Sequence, residues 1–271
     1  MSGPKPKPFE CPESVFWYLV GLIATDGCLS SDGRHIDITA KDQTFLEQIR
    51  KAAGLSCRVG RKGKHGARSC HHLQIGSRIL YDRLLAIGLT PKKSLTIGPL
   101  QVPDTAFYDF LRGAIDGDGG IRRWRHPSNG REQWTLRISS ASRPFVAWLE
   151  CAIARLWHVH GKIHSEQRGR RHALYKLKYG KLAARVIVER CYYPGALSLE
   201  RKRILAEQCA ATVVGWTKSK TIGDGSRWDD WVYTRINARR TKDNKLDPTA
   251  GFVSERFADY FAGVAQLARR E

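Results

Sequence analysis

The stretch YLVGLIATDG, residues Tyr18–Gly27, is followed 92 positions later by the similar stretch FLRGAIDGDG, residues Phe110–Gly119. Both are apolar, and both end in an acid just before a glycine. Each also has small residues four positions apart, Gly21 with Thr25 and Gly113 with Gly117, which share one face of a helix. Two such helices are expected to be buried on nearly all sides and to pack closely. Their contact would bring Asp26 and Asp118 to the same end.

A pair of acids placed in this way needs a physical reason. Two carboxylates about 4 Å apart repel by roughly 4 kcal/mol at an effective dielectric constant of 20. A shared proton or a divalent cation relieves that repulsion. If the partner is a polyanion, the cation is favoured, because it bridges carboxylates to phosphate. The repeated motif therefore indicates a paired active site.

The charge of the chain points to such a partner. The 271 residues include 46 Lys and Arg against 26 Asp and Glu, a net charge of +20. An excess of this size is typical of proteins that bind polyanions. Nucleic acid is favoured over an anionic membrane, because the sequence has no basic amphipathic helix and no polybasic tail.

Cysteine usage and hydropathy bound the compartment. Seven scattered cysteines without a Cys-x-x-Cys pair indicate a reducing compartment. The longest apolar run, Val15 to Ala24, has half the length that spans a bilayer. We therefore predict a soluble intracellular protein, in a bacterial or archaeal cytoplasm or an organelle. Cys57 with Cys70, His71 and His72 permits a metal site, but strand residues that face the core or a ligand explain the cluster as well.

The order of predicted elements repeats as well. Caps, apolar periodicity and turn residues predict the order αββαββα twice, which gives an α+β fold. Equivalent positions drift from 92 apart (Asp26, Asp118) to 100 (Phe45, Phe145) and 104 (Gln74, Lys178), as insertions in hairpin loops would produce. The predicted domains are repeats over residues 13–97 and 104–208. A C-terminal extension, residues 209–271, ends in a helix over Phe252 to Arg270.

The paired decapeptides resemble the two copies of the motif that names the LAGLIDADG homing endonucleases. The resemblance covers residues 13 to 208 and is closest to the single-chain, two-repeat type, which is a monomer. It implies two pseudo-symmetric repeats joined by the two motif helices, each with a saddle-shaped antiparallel sheet in the DNA major groove. It also implies Mg²⁺-dependent cutting of both strands across the minor groove, which leaves short 3′ overhangs. Mn²⁺ and Ca²⁺ are alternative occupants of the metal site.

The same resemblance implies the site residues. Asp26 and Asp118 are the metal-binding catalytic acids, and the backbone carbonyls of Thr25 and Gly117 are further ligands. Polar groups that orient water and stabilise charge on phosphorus are expected in two equivalent pairs, Gln74 with Lys178 and Lys93 with Lys202. An ordinary phosphate-contacting base is the alternative for each. The first motif has Ala24 where the second has Asp116, which we interpret as a helix-end residue rather than a ligand.

Basic residues concentrate in the predicted hairpins, as a DNA-binding saddle requires. Alternate strand residues reach base edges, and loop-tip bases reach phosphates. The predicted DNA-binding residues of the first repeat are Arg34, Arg58, Arg61, Lys62, Lys64, Arg68 and His72. Those of the second repeat are Arg122, Arg123, Arg125, Arg131, Arg137, Arg168, Arg170, Arg171 and Lys176, with Lys178 shared between DNA contact and catalysis.

The leading prediction is a site-specific double-strand DNA endonuclease with a long asymmetric target, intron-encoded or free-standing, and active in intron homing. An RNA maturase that binds intron RNA is one rival. A catalytically inactive DNA-binding regulator on the same scaffold is the other. Retention of both Asp26 and Asp118 argues against the regulator, because an inactive scaffold has no need of two repelling acids.

Overall fold

A computed structural model describes residues 9–62, 70–168 and 172–212 of the chain. The chain divides into two compact units, one of residues 1–157 and 161–213 and the other of residues 158–160 and 214–271. All elements below belong to the first unit. The predicted C-terminal helix and nearly all of the predicted extension lie outside the described residues.

The first repeat follows the predicted order of elements. It consists of α1 (Glu13–Thr25), β1 (Gly27–Leu29), β2 (His35–Ala40), α2 (Gln43–Ala52), β3 (Val59–Lys62), β4 (Cys70–Gly76) and α3 (Arg78–Ile87). The second repeat opens with a short 3-10 turn, Asp104–Ala106. It continues with α4 (Phe107–Asp116), β5 (Gly119–Arg125), β6 (Glu132–Ser140), α5 (Arg143–Trp157), β7 (Lys162–Arg168), β8 (His172–Tyr179) and α6 (Lys181–Cys191). A seventh helix, α7 (Glu200–Ala210), comes after the predicted order.

The strands form two antiparallel sheets of the same topology. The first sheet has the order β1-β2-β4-β3, and the second has the order β5-β6-β8-β7. Gly27 pairs with Ile38 in the first, as Gly119 pairs with Ile138 in the second. Likewise Asp37 pairs with Gln74 and Arg137 with Lys178. These registers confirm the predicted offsets of 92, 100 and 104, and with them the predicted α+β repeats.

Alternation along the strands gives each sheet a buried face and an open face. Ile36, Ile38 and Leu73 are buried on one side of the first sheet, and Leu136, Ile138 and Leu177 on one side of the second. We call the opposite side of each sheet its open face. The helices use the predicted signals: Asp42 accepts a hydrogen bond from the Phe45 amide at the start of α2, and α3 ends at Gly88 with φ of 108°.

The two motif helices, α1 and α4, cross in direct backbone contact. A Cβ atom on Gly21 would lie 1.9 Å from the carbonyl oxygen of Phe110, and one on Gly113 would lie 2.0 Å from that of Tyr18. Because real Cβ atoms do not approach so closely, only glycine fits at either position. The contact is reciprocal, as the pseudo-twofold relation of the motifs predicts. Within the described residues, no helix has both the length and the apolarity to cross a bilayer.

Candidate active site and nucleic-acid interface

The helix crossing places the two motif acids at a common, solvent-exposed end. Asp26 follows α1 directly, and Asp118 follows α4 by one residue, Gly117. A Cβ atom on Gly117 would lie 3.5 Å from the carboxyl carbon of Asp26 and 2.0 Å from the Thr25 hydroxyl. The second motif therefore ends against the first. We call Asp26 and Asp118 the acid pair.

The acid pair is electrostatically unfavourable when both members are ionised. Partial burial and then the charge of Asp118 raise the pKa of Asp26 to about 6. Partial burial also raises the pKa of Asp118. The charges of Lys202 and Lys93 act in the opposite direction on both acids. The two carboxylates thus repel each other in a setting that favours a cation.

Lys202 lies on the first turn of α7, and its ammonium group closes the carboxyl end of α4. Its Nζ donates to the carbonyl oxygens of Ile115 and Asp116, each at 2.6 Å, and to that of Gly117 at 2.9 Å. The side chain is buried, and burial lowers the pKa of Lys202 to about 8. A cation at this end also complements the negative end of the helix dipole.

Lys93 has the matching place at the first motif. Its Nζ donates to the carbonyl oxygen of Gly27 at 2.5 Å, immediately after Asp26. Burial lowers the pKa of Lys93, and the charges of Asp118 and Asp26 act against that shift. Each predicted lysine therefore donates to the backbone beside one acid. Both lysines fix the positions of the acids in this way, and their positive charges lower the electrostatic cost of ionising the pair.

A second layer of polar contacts fixes α4. Asp116 is buried and accepts hydrogen bonds, each of 2.7 Å, from the hydroxyls of Tyr18 and Tyr192 and from the Leu199 amide. The structure thus gives Asp116 the role of a helix-end residue, as predicted. Burial raises its pKa, and the three donors oppose that shift.

Arg112 on the same helix is also buried. It donates to the carbonyl oxygens of Leu197 and Cys191 at 2.8 Å and to Asp109 at 2.7 Å. Together with Asp116 it attaches the connection between α6 and α7, and hence Lys202, to the motif helix. Sequence reasoning missed this network. An arginine inside an otherwise apolar motif was the available signal, because a buried charge requires partners.

A polar cleft of about 420 Å³ opens beside Asp118. Its lining includes Thr25, Ser94, Arg137, Ser139 and Lys176. The cleft joins the end of the motif helices to the open face of the second sheet. A phosphate group there would meet an arginine, a lysine and hydroxyl donors next to Asp118.

The strand registers show where the remaining predicted residues lie. Gln74 and Lys178 occupy equivalent positions on the open faces. Gln74 pairs with the residue before Ile38, the partner of Gly27, and Lys178 pairs with the residue before Ile138, the partner of Gly119. His72 and Lys176 are likewise equivalent on the open faces. Pairing with His71 places Arg61 on the opposite face of the first sheet.

In the second sheet, Arg122 and Arg137 lie on the open face. Arg123 and Arg125 lie on the other face, where Arg123 pairs with Glu132 and stacks on Trp134. Arg34 and Arg131 are in the hairpin turns, and Arg58 immediately precedes β3. Lys64, Arg68, Arg170 and Arg171 lie outside the described residues, as does the side chain of Arg168.

The cysteine–histidine cluster has other partners. The His72 ring lies 3.0 Å from an Asp37 oxygen, the Cys70 thiol contacts the Lys62 carbonyl at 3.4 Å, and the His71 ring lies 3.3 Å from the Lys41 carbonyl. In residues 9–62, 70–168 and 172–212, no group of three or more His, Cys, Asp or Glu side chains is arranged to hold a metal ion.

Part of the chain is similar to a known protein family. A family model described as LAGLIDADG-like domain matches residues 13–87. Among solved structures, the homing endonuclease I-WcaI bound to its DNA recognition sequence is 12% identical, with a TM-score of 0.50 over 72% of this chain and 92% of that chain. Residues 13–87 are thus similar to a LAGLIDADG-like domain. The similarity to I-WcaI shows that the described fold, with its paired sheets, is that of LAGLIDADG proteins.

Two further solved structures are similar to the chain. Full-length DUF199/WhiA from Thermatoga maritima is 18% identical, with a TM-score of 0.47 over 85% of this chain and 71% of that chain. The meganuclease I-SmaMI bound to uncleaveable DNA is 13% identical, with a TM-score of 0.47 over 72% of this chain and 88% of that chain. No curated protein sequence matches the chain.

The acid pair of this LAGLIDADG fold suits a hard divalent cation such as Mg²⁺. Mg²⁺ binds through one or two carboxylates, and water and substrate phosphate complete its shell. Asp26 and Asp118 provide two carboxylates whose pKa values are raised by partial burial and, for Asp26, also by the charge of Asp118. The Gly117 carbonyl, a predicted further ligand, already accepts a hydrogen bond from Lys202, and no hydrogen bond to the Thr25 carbonyl is found in the described residues. The two carboxylates would be the principal donors to such a cation.

Arg201 is a further residue near the site that sequence reasoning missed. It is exposed at the start of α7, and its positive charge opposes the rise in the pKa of Asp26. The sequence LERKR contained the signal, but only the fold shows that α7 lies beside the motif ends.

Proposed function

We propose that the chain is a metal-dependent, site-specific double-strand DNA endonuclease of the homing type. The observation that carries the proposal is the exposed acid pair at the joined ends of α1 and α4, flanked by two sheets with open faces. A structural helix crossing has no need of two repelling acids at its exposed end. The DNA-bound state of I-WcaI, whose fold this chain shares, supports duplex DNA as the substrate.

The chain's own residues would divide the work as follows. Asp26 and Asp118 would hold Mg²⁺, which would neutralise phosphate charge and lower the pKa of bound water. Lys93 and Lys202 fix the backbone beside each acid and offset negative charge there. Gln74 and Lys178, at equivalent positions on the two open faces, orient water and contact the phosphates to be cut. The pseudo-twofold arrangement provides one such set for each strand, which accounts for cutting of both strands.

Cleavage of a randomised double-stranded DNA library with Mg²⁺ tests the proposal, with Asp26→Asn and Asp118→Asn as the variants. Recovery of one long sequence cut with short 3′ overhangs, which neither variant cuts on both strands, is the expected result. Asp32→Asn, an exposed acid in the first hairpin turn, is the matched control and should cut normally.

Other results separate the rival functions. Selection of a duplex sequence by binding, without cutting in Mg²⁺, Mn²⁺ or Ca²⁺, would replace the endonuclease with a DNA-binding regulator. Absence of any duplex binding, together with binding to structured intron RNA, would favour the maturase. Sedimentation in the same buffers tests the predicted monomeric state.

A further inference from the structure

The two sheets can be compared residue by residue because their registers match. Asp37 pairs with Gln74 in the first sheet at the position where Arg137 pairs with Lys178 in the second. His72 in the first sheet corresponds to Lys176 in the second. The equivalent open faces therefore differ in charge at every one of these three positions.

The open face of the second sheet is strongly cationic. Its described side chains include five lysines and arginines, and Glu166 is an acid on the same face that pairs with Lys176. The five are Arg122, Arg137, Lys162, Lys176 and Lys178. Four of them, with His164, line a single cleft of about 490 Å³. Such a concave basic surface neutralises several phosphates at once.

Within strands β1 to β4, the open face of the first sheet carries one lysine and one aspartate, which contact each other; Arg58 lies just before β3. Asp37, at the centre of this face, contacts His72 at 3.0 Å, the Thr39 hydroxyl at 2.9 Å and Lys62 at 3.3 Å. These contacts hold the pKa of Asp37 below its usual value against the effect of burial. The strand lysine of this face is thus already engaged with an acid, and its neighbour Gln74 is uncharged.

We propose that the two halves of the bound duplex are bound with unequal electrostatic strength. The strands of the second sheet make most of the charged contacts with phosphates. The strands of the first sheet then contribute chiefly through shape and base-edge contacts. The inference rests on the proposed DNA-binding function and refines it. It follows from the position of charge, because the two sheets have the same topology and register.

The salt dependence of DNA binding tests this division. Binding of the full chain to a labelled 30-base-pair duplex of mixed sequence is measured between 50 and 200 mM NaCl in EDTA. The slope of log K against log salt is negative, and R137Q/K162Q/K178Q should reduce its magnitude by about 2.7, since each phosphate contact contributes about 0.9. Wild-type affinity then falls roughly 40-fold more than that of the variant across this range. K62Q/H72Q should change the slope by less than about one unit.

A matched control removes the same charge elsewhere. R143Q/R155Q/R190Q takes three arginines from helices α5 and α6 of the same repeat and should leave the slope nearly unchanged. D37R/Q74K copies two residues of the second face onto the first and should increase the magnitude of the slope. Circular dichroism confirms that each variant is folded.

The inference is overturned if R137Q/K162Q/K178Q keeps the wild-type slope. It is equally overturned if the control R143Q/R155Q/R190Q reduces the magnitude of the slope by the same amount. It is also overturned if K62Q/H72Q reduces the magnitude of the slope as much as R137Q/K162Q/K178Q does. Failure of wild type to bind the duplex at 50 mM NaCl is a different result, because it removes the proposed function itself.

Discussion

At the scale of single residues, the acid pair should weaken the metal-free fold at neutral pH. The pKa of Asp26 is about 6 in the folded chain and near 3.8 in the unfolded one, so its ionised form destabilises the fold. This penalty is complete about one pH unit above 6, shrinks as the pH falls through 6, and disappears below 3.8. Asp26→Asn should therefore stabilise the chain in EDTA by about 1 kcal/mol at pH 8, allowing for solvent screening, and by clearly less at pH 4.5.

Thermal unfolding at the two pH values measures the effect, and Asp32→Asn provides a control of opposite sign. Hydrogen bonds from His35 and Arg34 lower the pKa of Asp32 to about 2, so this carboxylate should stabilise the fold at pH 8. Equal melting temperatures for wild type and Asp26→Asn at pH 8 would contradict the repulsion inferred for the acid pair.

Two buried tyrosines should respond in opposite ways to removal of the hydroxyl. The Tyr179 hydroxyl finds no hydrogen-bond partner in the described part of the chain, whereas that of Tyr18 donates to Asp116 at 2.7 Å. Tyr179→Phe should leave stability unchanged or raise it by up to about 1 kcal/mol, because an unsatisfied buried group is removed. Tyr18→Phe should cost about 1–3 kcal/mol. Urea unfolding compares them, and an equal loss in both would show that Tyr179 has a partner.

At the scale of elements, the crossing of α1 and α4 depends on its glycines. Gly21→Ala would place a methyl group 1.9 Å from the Phe110 carbonyl oxygen, so the two backbones must separate. We expect a loss of more than about 3 kcal/mol, as for overpacking that cannot relax. Gly98→Ala is the control, because a Cβ atom there has no heavy atom within 4 Å. Melting temperatures that agree for the two variants would refute the close crossing.

Sequence reasoning recovered most of this level, because its signals are local. The repeated glycine spacing predicted the crossing of the motif helices. Asp42 predicted the start of α2, and the turn residues predicted the strand pairs of the hairpins. It did not predict on which face of the sheet Arg61 and Arg123 lie. The face depends on the strand register, and the register depends on the length of the hairpin loop. It also missed the contact of Asp116 with Tyr192, because the two are 76 positions apart and only packing joins them.

At the scale of the whole molecule, the motif helices make the two repeats share one core. Apolar residues of α1, such as Leu22 and Ile23, and of α4, such as Leu111 and Ile115, are fully or almost fully buried. Neither repeat can expose this face to water without losing most of its hydrophobic stabilisation. The acid pair exists only while both repeats are folded, so the proposed catalytic site is a property of the assembled pair.

Unfolding should therefore be cooperative across the repeats. Ile49→Ala removes a buried side chain from α2 of the first repeat and should cost about 2–5 kcal/mol. We expect amide exchange of β6 in the second repeat to accelerate by the same free energy, since β6 opens only when the shared core opens. Hydrogen exchange followed by mass spectrometry measures both repeats in one sample. If β6 kept its wild-type protection while β2 lost it, the repeats would be separate folding units, and the helix contact would be a docking surface between them.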